Sequence, residues 1–133
     1  MPALRTLVVD DHEDLRKLLK SMLRETTECV IVGEATDGLQ AVEQAKELQP
    51  DLILLDLSLP KLNGMEAGRR IRKLAPNSKI VVLSQDDSPE IVQGALSLGA
   101  AGYVLKSDAT EIPLAVDAIL KGEIFISQRV KHP

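Results

Sequence analysis

At 133 residues with 44% hydrophobic content, the chain has one domain's length and apolar residues enough for a sizeable core, which argues against disorder and against several domains. Sixteen Lys and Arg against twenty Asp and Glu give a net charge of −4, so no global basic field draws it to nucleic acid or to an anionic membrane. The single Cys29 cannot close an internal disulfide, His12 and His132 add no zinc-site spacing, and no leader or run of roughly 18 apolar residues is seen, so a cytoplasmic location is expected.

Leu7-Val8-Val9 reads as a first strand, and the helix after it, over about 13–25, places Leu15, Leu18, Leu19, Met22 and Leu23 on one face. Val30-Ile31-Val32 is the second strand; Asp37-Gly38 turns the chain into a helix over about 39–48, with Ala41, Val42, Ala45 and Leu48 inward. Leu52-Ile53-Leu54-Leu55 is the third strand, followed by a helix over about 64–74 packed through Met65, Gly68, Ile71 and Leu74. Ile80-Val81-Val82-Leu83 leads to a helix over about 89–98, carried by Ile91, Val92, Ala95 and Leu98. Tyr103-Val104-Leu105 leads to the last helix, over about 111–121, where Ile112, Ala115, Val116, Ile119 and Leu120 share a face, Pro113 fits the first turn and Gly122 is the stop.

None of the five apolar runs alternates with polar residues, which is the habit of parallel strands covered on both faces. Five strand-helix repeats therefore predict right-handed crossovers and an α/β, doubly wound, five-stranded parallel sheet with five helices. Residues 1–122 are expected to form the domain. The tail over 123–133 has no helical period and ends in Lys131-His132-Pro133, so it is expected to begin a linker and not to add a sixth core element.

In such a sheet, ligands bind beyond the carboxyl ends of the strands where the strand order reverses. The first strand runs into Asp10-Asp11, the third into Asp56, the fourth into Ser84 and the fifth into Lys106. Three carboxylates on one rim would repel one another unless a cation compensated them, and Mg2+, which takes one or two carboxylates plus water and phosphate oxygens, suits an incomplete protein cage. Ser84 and Lys106 could then hold the oxygens of a transferring phosphoryl group, with Asp56 as nucleophile. Taken singly, each residue has a structural reading as well: Asp10 and Asp11 as helix caps, Asp56 and Ser84 as turn residues, Lys106 as a solvated side chain. The five together, all at carboxyl ends, match one reaction.

The segments Leu7-Val8-Val9-Asp10-Asp11-His12, Asp51 to Pro60 with Asn63-Gly64, Val82-Leu83-Ser84 and Gly99 to Lys106 resemble the receiver domain of two-component response regulators, over about 4–121. The resemblance implies a flavodoxin-like fold with strand order 2-1-3-4-5. It implies that Asp56 accepts phosphate from a sensor histidine kinase. It further implies that Asp11, Asp56 and the Ser58 carbonyl ligate Mg2+, with Asp10 acting mainly through water, and that Ser84 and Lys106 bind the phosphoryl oxygens. Ser84 and Tyr103 would be the switch residues, although Tyr103 also reads as a half-buried aromatic on an edge strand. Pro60 should stiffen the loop, and Gly64 should take a backbone conformation suited to the start of the third helix. Two departures from the family pattern carry expectations. Gln85 is bulkier than the usual residue and would narrow phosphoryl access, and Ser107 replaces a common Pro, so a trans Lys106-Ser107 peptide would displace the Lys106 ammonium.

Val30 to Ala35, Lys106 to Ala109 and Ile119 to Ser127 resemble NarL/FixJ-type regulators. This implies a transcriptional output, DNA contact only through a C-terminal LuxR-type domain outside this sequence, and dimerisation through an outer helical face. The chain is expected to be a receiver module of a longer regulator, with a standalone receiver as the lesser alternative. The alternative from a different class is a Mg2+-dependent aspartyl-phosphate phosphatase or phosphotransferase. Such enzymes usually carry Asp-x-Asp where this chain has Asp56-Leu57-Ser58, and no cap segment is present. A nucleotide-binding module is disfavoured because Leu39-Gln40 follows Gly33 to Gly38 where Lys-Ser/Thr is needed. A receiver-like scaffold without phosphorylation is disfavoured by retention of all five residues.

Overall fold

Strands and helices alternate as β1 (Leu4–Val9), α1 (Glu13–Arg24), β2 (Cys29–Ala35), α2 (Gly38–Leu48), β3 (Leu52–Asp56), α3 (Gly64–Leu74), β4 (Lys79–Ser84), α4 (Pro89–Ser97), β5 (Gly102–Leu105), α5 (Ile112–Leu120) and β6 (Phe125–Ile126). The computed structural model describes residues 3–25 and 28–130, so the Lys131-His132-Pro133 ending lies outside the described residues. The strand order is β2-β1-β3-β4-β5-β6, and all five neighbouring pairs are parallel.

The unbroken apolar runs follow from burial on both faces. Leu7, Val9, Ile53, Leu55, Ile80, Val82, Tyr103 and Leu105 point to one face, where Ala41 and Ala45 of α2, Ile71 of α3 and Val92 and Ala95 of α4 cover them. The intervening Val8, Leu52, Leu54, Val81, Leu83 and Val104 point to the other, against Leu19 and Leu23 of α1 and Ile112, Ala115, Val116 and Ile119 of α5. Since successive strand side chains alternate faces, a strand sandwiched between helices is apolar at every position. Asp37 and Asn63 cap α2 and α3 by accepting from the Gln40 and Glu66 N–H groups at 2.8 and 2.9 Å. Gly122, at φ +76°, stops α5.

Two expectations are corrected. The sheet has six strands, not five: Phe125 and Ile126 pair with Gly102 and Tyr103, so the tail adds an element to the sheet. A two-residue strand has no periodicity to read, and it forms because the open edge of β5 offers a partner. Tyr103 is consequently not on an edge strand and is fully buried. The last helix stands where expected, over Ile112–Leu120, and a 3-10 turn over Lys106–Glu111 precedes it.

Candidate functional site

The order of the sheet reverses between β1 and β3, and the register there sets the site. Val9 pairs with Leu55, which places Asp10 and Asp56 side by side one residue on; Asp56 pairs with Leu83, and Ser84 with Leu105, so Ser84 and Lys106 follow on the same rim. Gly64 closes the floor. A Cβ there would lie 2.2 Å from the Asp56 carbonyl oxygen, while the Gly64 N–H donates to the Leu57 carbonyl at 3.0 Å. Gly64 is the first residue of α3, as expected, and the need for glycine there is the close approach of α3 to the end of β3.

Asp10 and Asp56 are both 0% exposed. The Lys106 ammonium lies 3.0 Å from Asp56 Oδ2 and 3.4 Å from Asp10 Oδ2, with its side chain only 12% exposed. Among the described residues neither of those oxygens accepts a hydrogen bond, so Lys106 supplies the charge they face. The outer oxygens are held by the backbone: Asp56 Oδ1 accepts from Ser58 N–H at 2.9 Å, and Asp10 Oδ1 from His12 N–H at 2.7 Å. Asp10 and Asp11 thus do not cap α1, whose N-cap is His12.

The electrostatics follow from two buried carboxylates sharing one cation. Burial pushes the Asp56 carboxyl above its ordinary value and the Asp10 charge adds to this, while the Ser58 N–H and Lys106 partly oppose the rise. For Lys106 burial acts to lower the pKa, but Asp56 and Asp10 outweigh it and the net shift is upward. Tyr103 is raised, chiefly by burial.

Ligand atoms of Asp10, Asp11, His12 and Asp56 all lie within 4.8 Å of one another. Two of these residues carry buried carboxylate oxygens without a hydrogen bond, and the donor set is dominated by oxygen, which fits a hard divalent cation. His12 had no role in the sequence reading. Its Nδ1 sits 3.1 Å from Asp11 Oδ1 and 3.3 Å from Asp10 Oδ1, and the signal for it was its place directly after the acid pair. Arg16 was also missed: it donates to the Asp10 carbonyl at 2.8 Å and to Glu34 at 3.2 Å, pinning the end of β1. One helical turn after the acid pair is where such a side chain can reach back.

The peptide bonds of the described residues are all trans, yet Lys106 reaches both carboxylates; the expectation that a trans Lys106-Ser107 peptide would displace it is overturned. The chain tightens at once into the 3-10 turn, and the four-carbon side chain spans the rest. Ser84 joins the rim without touching Asp56 in any hydrogen bond: its Oγ accepts from Asp86 N–H at 3.0 Å. Tyr103 lies inward, and its hydroxyl donates to the Asp86 carbonyl at 2.5 Å, so one backbone unit connects the two expected switch residues. The Gln85 side chain is exposed.

The family model of the response regulator receiver domain matches residues 6–117. The chain belongs to the response regulator receiver family. It is 36% identical to the transcriptional regulatory protein DegU of Brevibacillus brevis, over 97% of this chain and 55% of that protein. It is 38% identical to the nitrate/nitrite response regulator protein NarL of Escherichia coli K12, over 92% of this chain and 57% of that protein. This receiver chain thus spans little more than half the length of these relatives. Among solved structures, a LuxR-family two-component response regulator from Aurantimonas sp. SI85-9A1 superposes with a TM-score of 0.90 at 32% identity, covering 96% of this chain and 92% of that one. The receiver is a regulatory domain and not a classical enzyme, and no helix among the described residues is long and apolar enough to cross a membrane.

Proposed function

We propose that this receiver is a phosphorylation-driven switch in which Asp56 takes a phosphoryl group from the phosphohistidine of a sensor histidine kinase in a Mg2+-dependent reaction. The observation that carries this reading is the position of Asp56: it alone joins the acid cluster, the Lys106 ammonium at 3.0 Å and the exposed Ser58 loop. An Asp56 carboxylate oxygen attacks phosphorus, the P–N bond to the donor imidazole breaks, and the electron pair leaves with the imidazole nitrogen. Burial makes the carboxylate more basic and so a better nucleophile, while Lys106 favours its ionised form. Asp11, Asp56 and the Ser58 carbonyl would hold Mg2+, with Asp10 acting through water; the bound ion would neutralise charge on the phosphoryl oxygens. Lys106 takes one oxygen of the aspartyl phosphate and the Ser84 hydroxyl another.

That last contact supplies the switch. The Ser84 hydroxyl would donate its own proton to a phosphoryl oxygen, and the Asp86 unit whose N–H its Oγ accepts also holds the Tyr103 hydroxyl. A new charge-assisted hydrogen bond that draws Ser84 toward the phosphoryl group would therefore bias the 84–88 loop and α4 toward a second arrangement. In the cell this would be read in the cytoplasm by a DNA-binding domain beyond residue 133, with residues 123–133 leading into it and an outer helical face supporting a homodimer. The domain acts catalytically only on its own aspartyl group, including its hydrolysis.

The test is intact mass after incubation with acetyl phosphate, with Mg2+ or with EDTA, on the unmodified chain and on Asp56→Asn. One added phosphoryl group that needs both Mg2+ and Asp56 is expected. Uptake by Asp56→Asn at the unmodified stoichiometry would overturn the assignment, and sustained turnover of a phosphomonoester would favour the enzyme instead.

A further inference from the structure

Lys106 is the first residue after β5, so the direction of its side chain is set by how the chain passes from the strand into the 3-10 turn. Both ends of that turn are tied to one residue of the tail. The Leu105 N–H, directly before Lys106, donates to Ser127 Oγ at 3.0 Å, and the Ser127 hydroxyl donates to Glu111 Oε1, at the far end of the turn, at 2.7 Å. Ser127 is fully buried, and its backbone is engaged too: its N–H donates to the Tyr103 carbonyl at 2.9 Å and its carbonyl accepts from Val130 N–H at 3.0 Å. The N–H, carbonyl and hydroxyl of this serine are all engaged, the hydroxyl both as acceptor and as donor.

The sheet explains the need for it. β6 ends at Ile126, so no strand carbonyl remains to receive the Leu105 N–H, and a buried N–H without an acceptor is costly. A serine hydroxyl one residue past the strand fills the gap and, having a proton of its own, passes the restraint on to Glu111. Arg129 adds contacts to Ser107 Oγ and Asp108 Oδ1, each at 3.3 Å, within the same turn. Asp108 is where that turn departs from helical geometry, at φ −118° and ψ 34°.

We propose that Ser127 is a positioning residue for Lys106, which couples the 127–130 segment to the acid pocket. The proposal rests on the reading of Lys106 as the residue that faces Asp56 and the incoming phosphoryl group. It gives the tail a role beyond covering an edge: a pull on the chain past Val130 is felt at Lys106, and a shift of Lys106 is felt at the tail.

The experiment is a double-mutant cycle on the full chain with Ser127→Ala, Lys106→Ala and the pair, read by two assays. Ser127→Ala is expected to slow phosphoryl uptake from acetyl phosphate about tenfold, as a misplaced positioning group does. It is also expected to tighten Mg2+ binding by calorimetry about threefold, because a loosened ammonium competes less for the carboxylates. Lys106→Ala should do both more strongly, and the pair should match Lys106→Ala alone. Effects that add in the pair, or unmodified values in Ser127→Ala, would overturn the proposal. If circular dichroism shows that Ser127→Ala does not fold, Glu111→Ala cuts the same tie from its more exposed end, with the same outcomes expected. If the unmodified chain takes no phosphoryl group, the Asp56 reading fails, while the Mg2+ cycle still decides the role of Ser127.

Discussion

Asp56→Asn should make the protein more stable at neutral pH, although it removes the residue proposed to carry the chemistry. At an effective dielectric constant of about 20, the Lys106 ammonium attracts Asp56 at 3.0 Å by roughly 5.5 kcal/mol and Asp10 at 3.4 Å by roughly 5 kcal/mol. Against this stand the repulsion between carboxylates whose ligand atoms lie within 4.8 Å, roughly 3.5 kcal/mol or more, and a desolvation cost of several kcal/mol for each buried ion. The upward shift of Asp56 gives the sign of the balance: ionising it costs more in the folded state than in the unfolded chain. The Asn oxygen can still accept from Ser58 N–H, and Lys106 keeps Asp10. Asp56→Asn should therefore gain about 1–2 kcal/mol, or about 4–8 °C in Tm for a chain of this size. Lys106→Ala does the reverse, leaving two buried carboxylates without their cation, and should lose about 3 kcal/mol.

Thermal unfolding by circular dichroism across pH tests the reasoning. A carboxyl whose folded pKa is raised destabilises the fold fully above that pKa, and the penalty fades as pH falls from the raised value toward the ordinary 3.8. The advantage of Asp56→Asn should shrink over that window. An Asn variant less stable than the unmodified chain at neutral pH, or an advantage independent of pH, would refute the charge argument.

Gly64→Ala should cost about 2–4 kcal/mol in urea unfolding, because its Cβ would overlap the Asp56 carbonyl; a loss under 1 kcal/mol would mean that α3 can move away from β3. Tyr103→Phe keeps the buried ring but leaves the Asp86 carbonyl without its donor, and should lose about 1 kcal/mol by the same assay. Glu34 is held below its ordinary carboxyl value, first by its hydrogen bond to Lys20 and further by Arg16, with burial opposing. Its stabilising contribution is thus present above pH 4.5 and lost as pH falls through the lowered pKa, so Lys20→Met should flatten the acid limb of the stability profile.

The first five strands and the rim that carries Asp10, Asp11, Asp56, Ser84 and Lys106 were legible in the chain, because burial on both faces leaves uninterrupted apolar runs and these residues stand where the runs end, while the order of the strands in the sheet came only from the family resemblance. Helix positions were legible for the same reason, from the spacing of residues such as Leu15, Leu19 and Leu23. What depended on tertiary structure were the contacts whose partners lie far apart in sequence and have no period of their own. β6 is two residues long and exists only against β5. Tyr103 is buried because it packs into the core on one face of the sheet, and its hydroxyl finds a carbonyl seventeen residues away. Lys106 stays in place through a trans peptide because a 3-10 turn forms there, held by a serine twenty-two residues beyond Leu105. Local propensity and periodicity encode which face a residue turns to; they carry no signal for a single hydroxyl that satisfies a distant N–H, since that need arises only once the sheet has closed.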